Sequence, residues 1–508
     1  MKQSFFSILF LSLICASCTK QPDYAKFTAD YSHFIEKAIN AFETKHGLAL
    51  AIVKDDQIIF EKYHGLADVE KKVPVDENTC FYIASSTKSF TALAALILEY
   101  KGKLDLNKSV SDYFPEINFA PELKTDSITI HHLIQHTSGI QNWPMINATA
   151  YTGVHDSDML LAQLEKFTRV DKRAPFGEFK YTNLGYNILG MIMNRELGKD
   201  WQSILDDEIF KPLNMGLTSA RMTTAENEGW HVAKPHSQVN DGNVLERLSL
   251  EKQDNTMHPA GGIISTPRDM SKWLLMELNN GKLDGKQIYD ANMIENSRFP
   301  HATQNRTYDD LKRFGYGYGW NLATTPNGDT LVHHFGGFSG THAEVSLMSS
   351  TGVGVIMMTN ENGSGSDLSF LLTSYAFDYF AGRADLENYY DEKLNYYVQG
   401  ISDWKKSIKK HKADRAKREW QLELPHEAYA GTYSSALFGT LEIKYIGDNQ
   451  LTAQVGNLKS PAAEPYTDKN SIRVEMTPRS GSTIHFSLED GKVVKANWDG
   501  LTYTKTTD

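Results

Sequence analysis

The chain has 508 residues, 41% of them hydrophobic, which is enough to bury a substantial core and to divide into a large and a smaller domain. A formal charge of −11 without a basic stripe excludes a surface that tracks a phosphate backbone, so nucleic acid is not an expected partner. Three cysteines are too few for a disulfide framework.

In chain order, residues 1–17, MKQSFFSILFLSLICAS, join a positive start, a short apolar centre and a small-residue end, as an export signal does. Cys18 then follows Ala16 and Ser17 in a pattern that resembles a bacterial lipobox, whose cysteine is lipidated. The expectation is an exported envelope lipoprotein, periplasmic or outer-membrane associated and held to the membrane through Cys18, or a secreted protein if that cysteine is unused. Cys80 is then the one cysteine left for the folded part, read as a small core thiol. Residues 24–46 predict a helix, and LALAIVKDDQIIFEKYHG predicts two strands around an Asp-Asp turn. From about 85 to 300 the pattern is mainly helical; LVHHFGGFSGTHAEVSLMSSTGVGVIMMTN returns to β-rich alternation before another helix near 367–381. The sheet is thus drawn from both ends of one domain. Residues 383–425 read as a charged helical linker, and 426–508, with short strands between turn signals such as GDNQ and EDG, as a small antiparallel β-domain.

The chemistry begins in FYIASSTKSFTALAALILEYKG, residues 81–102. Phe90, Leu93, Ile97 and Tyr100 recur at helical spacing and Gly102 suits a C-cap, so 85–101 predicts one helix with Ser85 at its N-terminus and Lys88 one turn on, sharing its face. A serine hydroxyl attacks well only when a neighbour takes its proton, and a partly desolvated lysine can do so. The spacing alone is weak: serine-any-any-lysine occurs five times, at Ser17, Ser85, Ser249, Ser402 and Ser407. Support comes from the chain's sole Tyr-any-Asn, Tyr181-Thr182-Asn183, and its sole His-any-Gly, His334-Phe335-Gly336. A phenol whose pKa is lowered by a nearby ammonium can serve as acid and base, and Asn183 can hydrogen-bond a substrate amide.

These three motifs, with GKLDLNKSVSDYFPE, ITIHHLIQHTSGI, PFGEFKYTNLGYNILG, GGIISTPRDMSKWL, FGYGYGW and HHFGGFSG in the same order, resemble the penicillin-recognising serine hydrolases over about residues 30–382. The branch is that of class C β-lactamases, D-aminopeptidases, D-alanyl-D-alanine carboxypeptidases and related esterases. The resemblance implies an α+β, β-lactamase/transpeptidase-like catalytic domain over 18–382: an antiparallel sheet flanked by helices, an all-helical lobe alongside and the active cleft between them. It implies Ser85 as acylated nucleophile, Lys88 and Tyr181 as proton-transfer partners, and Asn183, His334, Gly336 and Gly337 as substrate-binding positions. The N–H groups of Ser85 and Gly337 would form the oxyanion hole. It implies no cofactor and no metal, and a small peptide or ester as substrate, peptidoglycan-derived ones included. His334 stands where β-lactamases of this branch carry lysine, and a neutral imidazole holds a substrate carboxylate less well. His-any-Gly resembles the D-aminopeptidase and esterase members, and the tail resembles their lipocalin-like modules. The expectation is therefore a D-aminopeptidase-like or esterase-like hydrolase. The alternatives are a β-lactamase or carboxypeptidase, and a noncatalytic scaffold or binding module with the same fold. His132 and His136, four residues apart, could share a metal, but no HExxH or acidic third ligand accompanies them.

Overall fold

LALAIVKDDQIIFEKYHG forms a β-hairpin in the computed structural model, which describes residues 23–238 and 244–506. Strands β1 (Leu48–Lys54) and β2 (Gln57–His64) are joined at Asp55 and Asp56, whose φ angles of 50° and 60° make the left-handed turn that matches strand twist. The export segment and Cys18 lie outside the described residues.

Six later strands complete one antiparallel sheet: β3 (Ala302–Tyr308), β4 (Leu311–Tyr316), β5 (Asn321–Thr324), β6 (Thr330–Phe338), β7 (Thr341–Met348) and β8 (Val353–Thr359), in the order β3-β4-β5-β6-β7-β8-β1-β2. The two ends of the domain meet where Leu48 pairs Thr359 and Val53 pairs Gly354. β1 is apolar from Leu48 to Val53 because both its faces are covered. Leu48, Leu50 and Ile52 face a core built with α1 (Ala25–Ala41), α5 (Ser364–Phe380) and α6 (Leu386–Arg415), and Ala49 and Val53 face the other core with α2 (Thr87–Tyr100), α4 (Pro267–Leu278) and the helical lobe, which includes α3 (Leu184–Leu197). β8 follows the same period of two: Val353, Val355 and Met357 enter the first core, Ile356 and Met358 the second.

α2 is the central helix. Phe90 stacks on Trp273 of α4 at 3.8 Å, and almost every residue from Thr87 to Leu98 is buried, so the helix is apolar on all sides rather than amphipathic. Gly102, with φ 66°, closes its C-terminus through an N–H donated to the Glu99 carbonyl. α6 is more than a solvated connector: Tyr390, Leu394 and Ile401 enter the first core, and Lys393 pairs with Asp310 at 2.6 Å.

Beyond it nine antiparallel strands, β9 (Gly431–Ser435), β10 (Gly439–Tyr445), β11 (Leu451–Val455), β12 (Leu458–Ser460), β13 (Ala463–Pro465), β14 (Ser471–Thr477), β15 (Ser480–Glu489), β16 (Lys492–Trp498) and β17 (Leu501–Lys505), form a second sheet in the order β12-β11-β10-β9-β17-β16-β15-β14-β13. It coils until its ends meet, where the Glu475 N–H donates to Ser460 Oγ at 3.0 Å, around a core of Tyr433, Leu441, Ile472, Ile484 and Trp498. This unit sits on the helical lobe: Gln163 donates to the Leu437 carbonyl at 2.7 Å and the Asn457 N–H to the Thr152 carbonyl at 2.9 Å.

Candidate active site

The segment in front of α2 carries the first motif. Phe81–Tyr82 pairs with Ile264–Ser265, and Ala84–Ser86 is a 3-10 turn, so the α-helix starts at Thr87, two residues later than the spacing implies. Ala84 has φ 45°, a left-handed conformation that costs a non-glycine residue about 1–2 kcal/mol. Ser86 donates to the His334 carbonyl at 3.1 Å, tying this turn to β6. A Cβ on Gly336 would overlap the Ile83 carbonyl oxygen and lie 3.0 Å from the Ser85 nitrogen. Only a glycine lets the two segments touch. Gly337 is exposed, and a Cβ there would find its nearest atom at 3.9 Å.

Lys88 points back from the first turn of α2 to Ser85. Its Nζ lies 3.1 Å from Ser85 Oγ, 2.9 Å from Asn183 Oδ1 and 2.7 Å from the Ala260 carbonyl oxygen. The side chain is fully buried and no carboxylate accompanies it, so burial holds the amine well below the usual lysine range. A neutral amine has two N–H donors and one lone pair. Two of its three neighbours are pure acceptors, which leaves the lone pair for the serine hydroxyl. Such an arrangement can take a proton from Ser85 without any histidine.

Tyr181 completes the group. Its ring lies under the Lys88 Nζ at 4.8 Å, and its phenol hydrogen-bonds with Ser85. The expected lowering of its pKa does not occur: burial raises the phenol above its ordinary value, and the Ser85 hydrogen bond only partly opposes this. The neighbouring amine is itself desolvated, and the Arg313 guanidinium offsets only part of the cost of burying a phenolate. Tyr181 is thus a proton donor in the resting site. The Asn183 amide oxygen is taken by Lys88, so its amide N–H groups remain for a ligand.

His334 is buried behind this group. Nδ1 donates to the Phe335 carbonyl at 2.7 Å, so Nε2 is an acceptor, and the Tyr316 hydroxyl donates to it at 3.3 Å. Burial holds the imidazole well below its ordinary pKa. The third motif therefore contributes no positive charge. His136 turns its Nδ1 to the Thr182 N–H at 3.4 Å and packs its ring 4.5 Å from that of Tyr181. His132 is committed to Thr129 at 2.9 Å, so the two histidines do not converge. Among the described residues no cluster of histidine, cysteine or carboxylate side chains is arranged to hold a metal. Cys80 is buried, its thiol pushed up to about 12 by desolvation.

Sequence reasoning missed Ala260, Ser86 and Tyr316. Ala260 acts through its carbonyl, which no side-chain pattern marks; Ser86 was visible only as a second serine, and Tyr316 only within FGYGYGW. The competing match Ser249–Lys252 is resolved by geometry. Lys252 is also buried, but it donates to the Ala150 carbonyl at 2.6 Å and lies 3.8 Å over the Phe338 ring, while Ser249 is exposed.

The sequence matches the Beta-lactamase family over residues 35–376. The chain belongs to this family. Among curated proteins it is 27% identical to Protein flp of Staphylococcus aureus (strain N315) over 342 residues, 66% of this chain and 64% of flp. It therefore spans less than two thirds of that relative. It is also 32% identical to Esterase EstB of Burkholderia gladioli over 197 residues, 37% of this chain and 49% of EstB. Among solved structures, the octameric penicillin-binding protein homologue from Pyrococcus abyssi superimposes with a TM-score of 0.60 at 20% identity, covering 94% of this chain and 99% of that one. That likeness extends the shared fold into the C-terminal sheet.

Proposed function

We propose that the protein is a serine hydrolase that cleaves an ester or amide through an acyl-enzyme on Ser85. The observation that carries this is the buried Lys88 amine, 3.1 Å from Ser85 Oγ, with both its N–H donors engaged by neutral acceptors. In this reading the amine takes the hydroxyl proton as Ser85 attacks the substrate carbonyl, and becomes an ammonium whose three donors match its three neighbours. The Ser85 and Gly337 N–H groups hold the oxygen that becomes negative. Tyr181, protonated at rest, gives its proton to the leaving group, and the new Lys88 cation beside it favours that transfer. A water then enters by the reverse route and frees Ser85. Asn183 positions the substrate through its amide N–H groups.

The neutral His334 and the sequence likeness to an esterase favour small esters or D-amino-acid peptides over penicillins, whose carboxylate would find no fixed cation there. The leader and Cys18 support placement in the cell envelope. Intact-mass spectrometry after a fluorophosphonate probe tests the mechanism: one adduct on Ser85, lost in Ser85→Ala, is expected, and labelling of another serine refutes it. Turnover of nitrocefin, a short-chain nitrophenyl ester and D-alanyl p-nitroanilide tests the substrate class. Nitrocefin as the best of the three would overturn the preference stated here.

A further inference from the structure

A cavity of about 830 Å³ lies between the segment leading into Tyr181, the short helix Ile130–Ile134 with its adjoining turn, and the edge strand β3. That volume is within the range of ligand sites. Its wall carries Arg173, Lys180 and Arg306 against one carboxylate, Glu178, in a chain whose overall charge is −11. Asp171, behind the wall, pairs with Lys180 and lies 3.8 Å from Arg173, so one acid is shared between two cations. The Arg306 side chain has no ion-pair partner among the described residues. Thr137, also on the wall, keeps a buried hydroxyl with no hydrogen-bond partner, an arrangement that costs free energy unless a ligand or water completes it.

The cavity is next to the reacting group. Phe179 lines it and packs 5.4 Å from Tyr316 and 5.9 Å from His136, and His136 in turn touches Tyr181. Lys180 immediately precedes Tyr181, the residue that faces the leaving group in the mechanism above. We infer that this cavity is a subsite for an anion, a carboxylate or a phosphate, carried on the leaving-group half of the substrate. The inference rests on the hydrolase reading, and it adds a charge requirement that the neutral third motif does not supply. An anion placed there meets Arg306 and Arg173 directly.

Three acetate esters test it: neutral 4-acetoxybenzamide, 4-acetoxybenzoate and 4-acetoxybenzylphosphonate. The measured quantity is the ratio of kcat/KM for each anionic ester over the amide. In Arg173→Glu/Arg306→Glu, both at exposed positions, that ratio is expected to fall about tenfold, the loss of two exposed charge contacts and their replacement by repulsion. A fall for the benzoate alone or the phosphonate alone identifies which anion the site takes. An unchanged ratio overturns the inference, because damage to the fold lowers all three esters together. Fluorescence anisotropy of fluorescein-labelled tri-aspartate reads the cavity without turnover, and equal affinity for wild type and double variant also overturns it. Failure of the hydrolase reading is separately visible as absence of any Ser85 adduct with the fluorophosphonate.

Discussion

Replacing Lys88 by methionine removes the amine while keeping most of its volume, and the contacts of that amine set the consequences. The nucleophile loses its proton acceptor, which for a positioned general base is worth about 10²–10⁴ in rate. Because Lys88 is fully buried, there is a second consequence. Asn183 Oδ1 and the Ala260 carbonyl lose their donor, at about 1–3 kcal/mol each. Against this, the variant no longer has to bury an amine. The folded pKa of Lys88 is lowered, so the unfolded chain binds a proton that the folded protein does not. That penalty is greatest at low pH and disappears as pH rises to the ordinary lysine value near 10.5. The stability of Lys88→Met relative to wild type should therefore fall with rising pH, by up to about 1.4 kcal/mol per unit. The assay pairs the rate of fluorophosphonate labelling at pH 8 with urea unfolding at pH 6, 8 and 9.5. Labelling within a factor of a few of wild type, or a stability difference flat across pH, would refute the view that a neutral buried lysine activates Ser85.

The same contacts carry other expectations. Gly336→Ala forces a Cβ into the Ile83 carbonyl and should reduce Ser85 labelling at least a hundredfold, whereas Gly337→Ala, with open space and an intact N–H, should retain it; equal losses in both would show that close approach of β6 is not what matters. Acid should destabilise the fold. Six buried histidines, His46, His136, His236, His258, His333 and His334, all have lowered pKa values, so the unfolded state gains protons below pH 6.5 that the folded state does not bind. Buried Glu277 and Asp367, raised to about 7 and about 6, oppose this because they favour the folded state as they protonate. The six histidines outnumber the two acids, so stability falls as pH drops below about 6.5. A melting temperature at pH 5.5 equal to that at pH 7.5 would contradict the burial of neutral imidazoles. Arg479→Ala removes a cation that binds Asn362, lies 3.8 Å from the buried Glu361 and packs on Trp404. Limited proteolysis between α6 and β9 should then accelerate while Ser85 labelling persists; unchanged cleavage would show that this contact does not hold the C-terminal sheet in place.

How much of the fold and site is legible in the sequence depends on the range of each interaction. The hairpin around Asp55–Asp56, the buried strands of the HHFGG segment and the glycine that ends α2 are encoded locally, by side-chain period and by residues that tolerate positive φ, and all are readable. So is the family, because the three motifs and the segments around them carry their spacing in the chain itself. Protonation state is not readable. Whether Lys88 is neutral, Tyr181 a donor and His334 uncharged depends on which groups from residues 83–88, 181–183, 260 and 316–336 exclude water from one another, and desolvation is a property of the assembled surroundings. The Ala260 carbonyl and the Ser86 link to His334 are of the same kind, since backbone acceptors and single serines leave no pattern in a sequence. Residue order thus determined which side chains were available and which secondary structures carry them. Only the packed tertiary structure, through distance and burial, decided that Ser85 with Lys88, and not Ser249 with Lys252, can exchange a proton.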